Sequence, residues 1–138
     1  MAIITVTSTA DRGAGSLRDA ISIAGNGNTI QFASTLSKKT IKLKSGQLLL
    51  DKSITIDGQN APDLTVSGNQ ISRVFQIEKN KNVTFKALRI AGGKVEGEGG
   101  GIRARQGSSL NLIDTKLENN QSELGGAIRL GPLAEATS

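Results

Sequence analysis

Three short apolar–polar–apolar segments recur in the same order along the chain, and this recurrence constrains the fold more than any other feature. Ile54-Thr55-Ile56, Val83-Thr84-Phe85 and Leu110-Asn111-Leu112 form one column. Leu64-Thr65-Val66, Leu88-Arg89-Ile90 and Thr115-Lys116-Leu117 form a second. Phe75-Gln76-Ile77, Ile102-Arg103-Ala104 and Ile128-Arg129-Leu130 form a third. Alternation of this kind marks half-buried strands, and a period of about 24–27 residues is that of one supersecondary unit in a solenoid. The corner after the second column supports the same register: Ser67-Gly68-Asn69, Ala91-Gly92-Gly93 and Glu118-Asn119-Asn120 end in Gly or Asn at both trailing positions. These residue types tolerate left-handed backbone. Gly99-Gly100-Gly101-Ile102 and Gly125-Gly126-Ala127-Ile128 place small residues before the third strand, where coils must lie close together.

The predicted fold is therefore all-β, a right-handed parallel β-helix (solenoid) with a short N-terminal capping α-helix, in one domain over residues 1–138. Residues 1–29 read as the cap, 30–130 as solenoid coils and 131–138 as a C-terminal tail. Ile30-Gln31-Phe32, Ile41-Lys42-Leu43 and Leu48-Leu49-Leu50 read as a less regular opening turn, and Asp57 to Asp63 as a longer surface turn. Thr5-Val6-Thr7-Ser8-Thr9 is strand-like. The spacing then becomes helical over about residues 16–24, with Leu17, Ala20, Ile21 and Ala24 on one face. Ser16 is positioned to cap this helix, Asp19 to answer from the third position and Gly25 to close it. A helix there covers the apolar end of the first coil, as solenoid termini require. After Leu130, Pro132 and a short remainder predict that coiling stops, leaving strand edges that the tail folds over, that pair with a second copy, or that continue into a longer solenoid; pairing is the favoured outcome.

Several of these segments resemble the right-handed parallel β-helix domains of bacterial surface proteins that open on a cysteine–serine–leucine–arginine–glutamate–alanine–isoleucine cap. Here the cap reads Gly15-Ser16-Leu17-Arg18-Asp19-Ala20-Ile21. Ile4 to Asp11, Ile54-Thr55-Ile56-Asp57-Gly58 and Gly99-Gly100-Gly101-Ile102 also resemble the family pattern. The resemblance implies a pectate-lyase-like solenoid belonging to an exported or cell-surface protein, most often an adhesin. Glycine at 15 in place of cysteine removes a side chain and implies a looser cap.

The composition excludes several chemistries. There is no cysteine and no histidine, which removes disulfides, thiol catalysis, serine–histidine triads and the commonest metal ligands. No cofactor or metal site is expected. No apolar run is long enough to span a membrane. Met1 to Val6 lack the pattern of a signal peptide, so a secreted or cell-surface placement needs a leader outside this chain. A cysteine-free chain suits the cytoplasm equally.

The net charge of +5 favours anionic partners without selecting one. With three Phe and no Tyr or Trp, the chain lacks a stacking platform for nucleic acid. Two outward columns carry the basic candidates: Thr65, Arg89 and Lys116 on one, Gln76, Arg103 and Arg129 on the other. Stacked like charges repel unless an anion or carboxylate lies between them. Arg89, Arg103, Lys116 and Arg129 are thus either an acidic-glycan strip or an ordinary solvated face. Lys38, Lys39, Lys42 and Lys44 fit protection of an early strand edge.

Asp57-Gly58 reads as a turn rather than a catalytic or calcium site, and Asp63, Asp114 and Glu118 show no convergent spacing. Glu96-Gly97-Glu98 reads as a solvated loop, and the glycines that follow lack the lysine of a phosphate-binding loop. Thr5, Thr7 and Thr9 suggest an ice-binding ladder, but the outward columns run Thr55, Thr84, Asn111 and Thr65, Arg89, Lys116, and the ladder breaks. The leading reading is a non-catalytic structural or adhesive module, self-associating through its open end. The alternative is an acidic-polysaccharide-binding or carbohydrate-active (lyase- or hydrolase-like) domain.

Overall fold

The computed structural model describes residues 2–137; the expected outer limits Met1 and Ser138 lie outside the described residues. The chain is a parallel β-solenoid in which three sheets run the length of the stack. The first sheet holds β1 (Ile3–Val6), β2 (Thr29–Phe32), β5 (Thr55–Asp57), β8 (Asn82–Lys86), β11 (Ser109–Ile113) and β14 (Glu135–Thr137) in that order. The second holds β3 (Thr40–Lys42), β6 (Thr65–Ser67), β9 (Arg89–Ala91) and β12 (Lys116–Glu118). The third holds β4 (Leu48–Leu50), β7 (Phe75–Ile77), β10 (Ile102–Ala104) and β13 (Ile128–Leu130). Each coil visits the three sheets in turn, so every inter-strand pairing is with the coil before or after it.

The register is the one read from the repeats. Ile56 pairs with Phe85 and Phe85 with Leu112; Val66 pairs with Ile90 and Ile90 with Leu117. Phe75 pairs with Ile102 and Ile102 with Ile128. Alternation then decides burial: Ile56, Val66, Phe75, Phe85, Ile90 and Ile102 are all fully buried, while Thr55, Thr65, Gln76, Arg89 and Arg103 face outward. The opening turn keeps the same register, Ile30, Ile41 and Leu48 pairing with Ile56, Val66 and Phe75, but it is less regular than the later described coils in carrying a 3-10 turn, Ser34–Leu36, between β2 and β3.

The helix α1 (Leu17–Ile23) buries Leu17, Ala20, Ile21 and Ala24 against the core, the face that its spacing predicts. The Ser16 hydroxyl accepts the Asp19 amide at 3.1 Å. The reciprocal bond expected from Asp19 does not form, because the Ser16 amide donates to the Gly13 carbonyl instead. Nor does Gly25 end the helix through a left-handed turn: Ala24 is the extended C-cap, and Asn28 Oδ1 accepts the Gly25 amide. Lys52 Nζ donates to the carbonyls of Ile21 and Ser22, a cation where the helix end wants one. The helix packs against β1, and its Arg18, Ile21 and Ser22 line one shallow cleft with Leu48 and Leu49 of β4.

Two further expectations are corrected. Coiling does not stop at Leu130: Pro132 sits in a turn whose carbonyl accepts the Gly107 amide, and β14 then pairs in parallel with β11 through Ser109–Glu135, Leu110–Ala136 and Asn111–Thr137. A proline outside the ladder does not forbid a strand three residues later. The Gly15 departure does not leave a gap either. Gly15 adopts φ +82°, and a Cβ there would lie 2.6 Å from Thr7 Oγ1. Its carbonyl accepts the amides of both Thr7 and Ser8. Glycine permits a tighter crossing that a side chain would obstruct.

The long turn after β5 is anchored rather than loose, with Ala61 fully buried and the Pro62 carbonyl accepting from Lys38 and Ser37. At the three second-to-third-sheet corners after β6, β9 and β12 the left-handed residues are Asn69 and Gln70, then Gly92, then Asn119, so the corner after β6 is shifted by one position and holds two of them. The other column there serves close stacking: a Cβ on Gly93 would meet the Gly100 carbonyl oxygen at 1.9 Å.

Candidate anion-binding cleft

The outward columns can now be placed. Arg89 and Lys116 are direct neighbours on the second sheet, and Arg103 and Arg129 are direct neighbours on the third. The four candidates therefore form two pairs on two faces, not one strip.

On the second sheet the positive charge is met by acids of the same chain. Arg89 Nε lies 3.8 Å from Glu118 Oε2, and Arg89 Nη2 lies 4.0 Å from Asp63 Oδ1. Arg89 Nε is buried without a hydrogen-bond partner among the described residues. A shallow cleft of about 360 Å³ there is lined by Asp63, Asp114, Arg89 and Lys116, a balanced set of charges. Asp57 Oδ1 accepts the Gln59 amide at 2.9 Å, which is the turn its sequence suggests. Among the described residues no three carboxylates converge as a cation site would require.

The third sheet is different. A cleft of about 460 Å³ is lined by Lys79, Glu98, Arg103, Arg105, Arg129 and the backbone up to Pro132. Strand geometry explains the arrangement. Arg103 and Arg129 stand at the same outward position of β10 and β13, Arg105 follows β10, and Lys79 comes from the turn after β7. Arg105 Nη1 is 2.8 Å from Glu78 Oε2. Arg103 Nε and Arg129 Nε lie 3.6 and 3.7 Å from Glu98 Oε2. Four cations thus meet two carboxylates, leaving a local positive excess. Guanidinium groups present planar, forked donors suited to carboxylate, so the arrangement is equipped to bind an anion.

Two residues that organise this cleft were not legible as site residues. Glu96-Gly97-Glu98 read as a solvated loop, yet Glu98 bridges both stacked arginines. Arg73 is only 8% exposed and has no carboxylate partner within ion-pair range among the described residues. It donates to the carbonyls of Glu98 and Gly99 and to the side-chain oxygens of Gln47 and Gln76. Burial pushes the Arg73 guanidinium down from its ordinary value, Arg103 pushes the same way and Glu98 opposes them. A signal did exist: with Phe75, Ile102 and Ile128 aligned, Arg73 stands where later coils have Gly100 and Gly126. A long cation in a glycine column implies that it reaches across to bind something.

The remaining expectations also find places. Lys38, Lys39, Lys42 and Lys44 are exposed on and around β3, the edge strand of the second sheet. One outward column of the first sheet runs Thr29, Thr55, Thr84, Asn111, Thr137, but its companion column mixes Thr5, Gln31, Asp57, Lys86 and Ile113. The flat double rank of an ice-binding face is absent among the described residues. No helix among them is long and apolar enough to cross a membrane. No protein-family model matches the chain, and no curated protein matches it as a relative.

Proposed function

We propose that this chain is a non-catalytic structural or adhesive β-solenoid module of a bacterial surface or secreted protein, self-associating through its C-terminal coil. One observation carries the reading. The inward aliphatic columns are sealed through the third coil but half-exposed in the fourth, at Leu112, Leu117 and Ile128, with Leu130 37% exposed. Among the described residues β12, β13 and β14 present unpaired edges on the same side, and such edges template further pairing. Helix α1 occupies the other end, and a second copy meeting this coil end to end supplies a layer that covers it. The cap segment from Gly15 to Ile21 supports kinship with surface-protein β-helices, and the surface placement follows from that kinship. Sedimentation velocity over a wide concentration range tests the proposal: a mass rising from one chain to two supports it, and a constant single-chain mass overturns it.

A second reading is favoured by the third-sheet cleft: the same module binds a carboxylate-bearing polymer such as an acidic polysaccharide. Its support is the positive excess around Arg103, Arg105, Arg129 and Lys79. Salt-sensitive binding to acidic but not neutral glycans, lost in the Arg103→Ala, Arg129→Ala double variant, is the expected result. Equal binding by the variant sinks the reading.

A further inference from the structure

We propose that Glu98 is a built-in occupant of the third-sheet cleft, holding the position that a ligand carboxylate takes when an acidic polymer binds. This rests on the anionic-ligand reading and specifies how that site is regulated: the protein's own carboxylate competes with the ligand.

Electrostatics explains why the occupant is there. Arg103 and Arg129 are paired residues on adjacent parallel strands, so their columns run about 4.8 Å apart. Two stacked guanidinium groups repel, and a carboxylate between them relieves the repulsion. Glu98 Oε2 does this nearly symmetrically, at 3.6 and 3.7 Å from the two Nε atoms. Both distances are beyond hydrogen-bond range. Among the described residues, moreover, neither guanidinium donates a hydrogen bond to another group of the protein. Glu98 therefore meets the need for charge without using the directional donors. An incoming carboxylate that reaches a guanidinium in the forked, two-bond geometry supplies both.

The backbone determines how the exchange can occur. The Glu98 carbonyl accepts from Arg73 Nε at 3.0 Å and from Nη2 at 2.7 Å, and the Gly99 carbonyl accepts from Nε at 2.8 Å. The Gly99 amide donates to the Leu124 carbonyl at 2.8 Å. The main chain of the loop is thus fastened on two sides, and displacement needs only rotation of the Glu98 side chain, which is 34% exposed. Arg73 acts as a positioning residue: it sets where that side chain begins.

Calorimetric titration of the full chain with a short oligogalacturonate tests the proposal. Compared are the wild type, Glu98→Gln, Glu98→Ala and the Arg103→Ala, Arg129→Ala double variant, each checked for its β-sheet circular dichroism. Exposed ion pairs are individually weak, so removing both Glu98 contacts is expected to tighten binding by about three- to tenfold, while the double arginine variant loses it. Binding seen only with the Glu98 variants also supports the proposal. If the wild type binds, the double variant does not, and both Glu98 variants bind equally or more weakly, the occupant role is overturned and the anion cleft stands. If no protein binds, both fall. Glu98→Ala guards against a glutamine that bridges the arginines by hydrogen bonds.

Discussion

The two ends of this solenoid solve the same problem differently. At the N-terminal end, α1 lays four apolar side chains on the first coil, and the surrounding polar groups are cross-tied. Arg18 donates to the carbonyls of Asp11, Gly46 and Gln47, and the Asp11 carboxylate accepts from the Lys44 and Ser45 amides and the Ser45 hydroxyl. The residues that resemble a family cap thus clamp the entering chain to the turn before β4. At the C-terminal end, β14 extends only the first sheet, and the aliphatic columns of the other two finish half-exposed. Inward positions are apolar at both ends. What separates them is whether the next layer supplies atoms to touch, and stability in a stacked fold depends on such neighbour contacts.

The comparison is broken most directly at the sealed end. Leu17 is fully buried, and truncating such a leucine leaves a cavity that surrounding atoms fill incompletely. Leu17→Ala is expected to cost about 3–4 kcal/mol, measured as a lowered urea midpoint with both ends otherwise intact. A loss below about 1 kcal/mol would mean that the helix is not part of the cooperative unit, and the two ends would then be alike.

Asp11 offers a smaller effect with a distinctive pH signature. Burial raises its carboxyl pKa, but the Ser45 hydroxyl, the Lys44 and Ser45 amides and Arg18 outweigh that and hold it well below the ordinary 3.8. A carboxylate favoured in the folded state stabilises fully above its unfolded value, and that contribution drains away as pH falls through the folded one. The side chain is only 12% exposed, but its bonds to Lys44 and Ser45 lie at the surface, where solvent screens part of the charge. Asp11→Asn is expected to cost about 2 kcal/mol at pH 7, with the gap to wild type narrowing below about pH 4. A gap that is constant from pH 7 to pH 3 would show that the charge is not what fastens the clamp.

These contrasts also show what a sequence can disclose. The stack was legible because it is periodic: Ile56, Phe85 and Leu112 announce their register by spacing, and the buried face of α1 by its 3.6-residue pattern. Departures from period were harder. β14 was hidden because three exposed residues after a proline carry no alternation strong enough to oppose the expectation of a tail. Gly15 read as a loss because a missing side chain cannot reveal a left-handed turn. In the cleft, the stacked arginines followed from the register, but Glu98 and Arg73 did not. Their partners are backbone carbonyls and a neighbouring coil's side chains, contacts that hydrophobic periodicity does not encode.

The smallest expected effect decides whether the open end stays open. Leu117 is the fourth-coil counterpart of the fully buried Val66 and Ile90, yet it is only half-buried. In a dilute single chain, Leu117→Ala removes little area from the core and is expected to cost about 1 kcal/mol or less. If two copies meet end to end, the same residue lies in their shared apolar layer, and folding becomes linked to protein concentration. The wild-type melting temperature should then rise with concentration, while that of Leu117→Ala rises less, because its dimer is weaker. Parallel, concentration-independent melting curves for both proteins would show that the fourth coil meets solvent in every molecule. The half-exposed leucine would then be a tolerated edge of the core rather than one half of an interface.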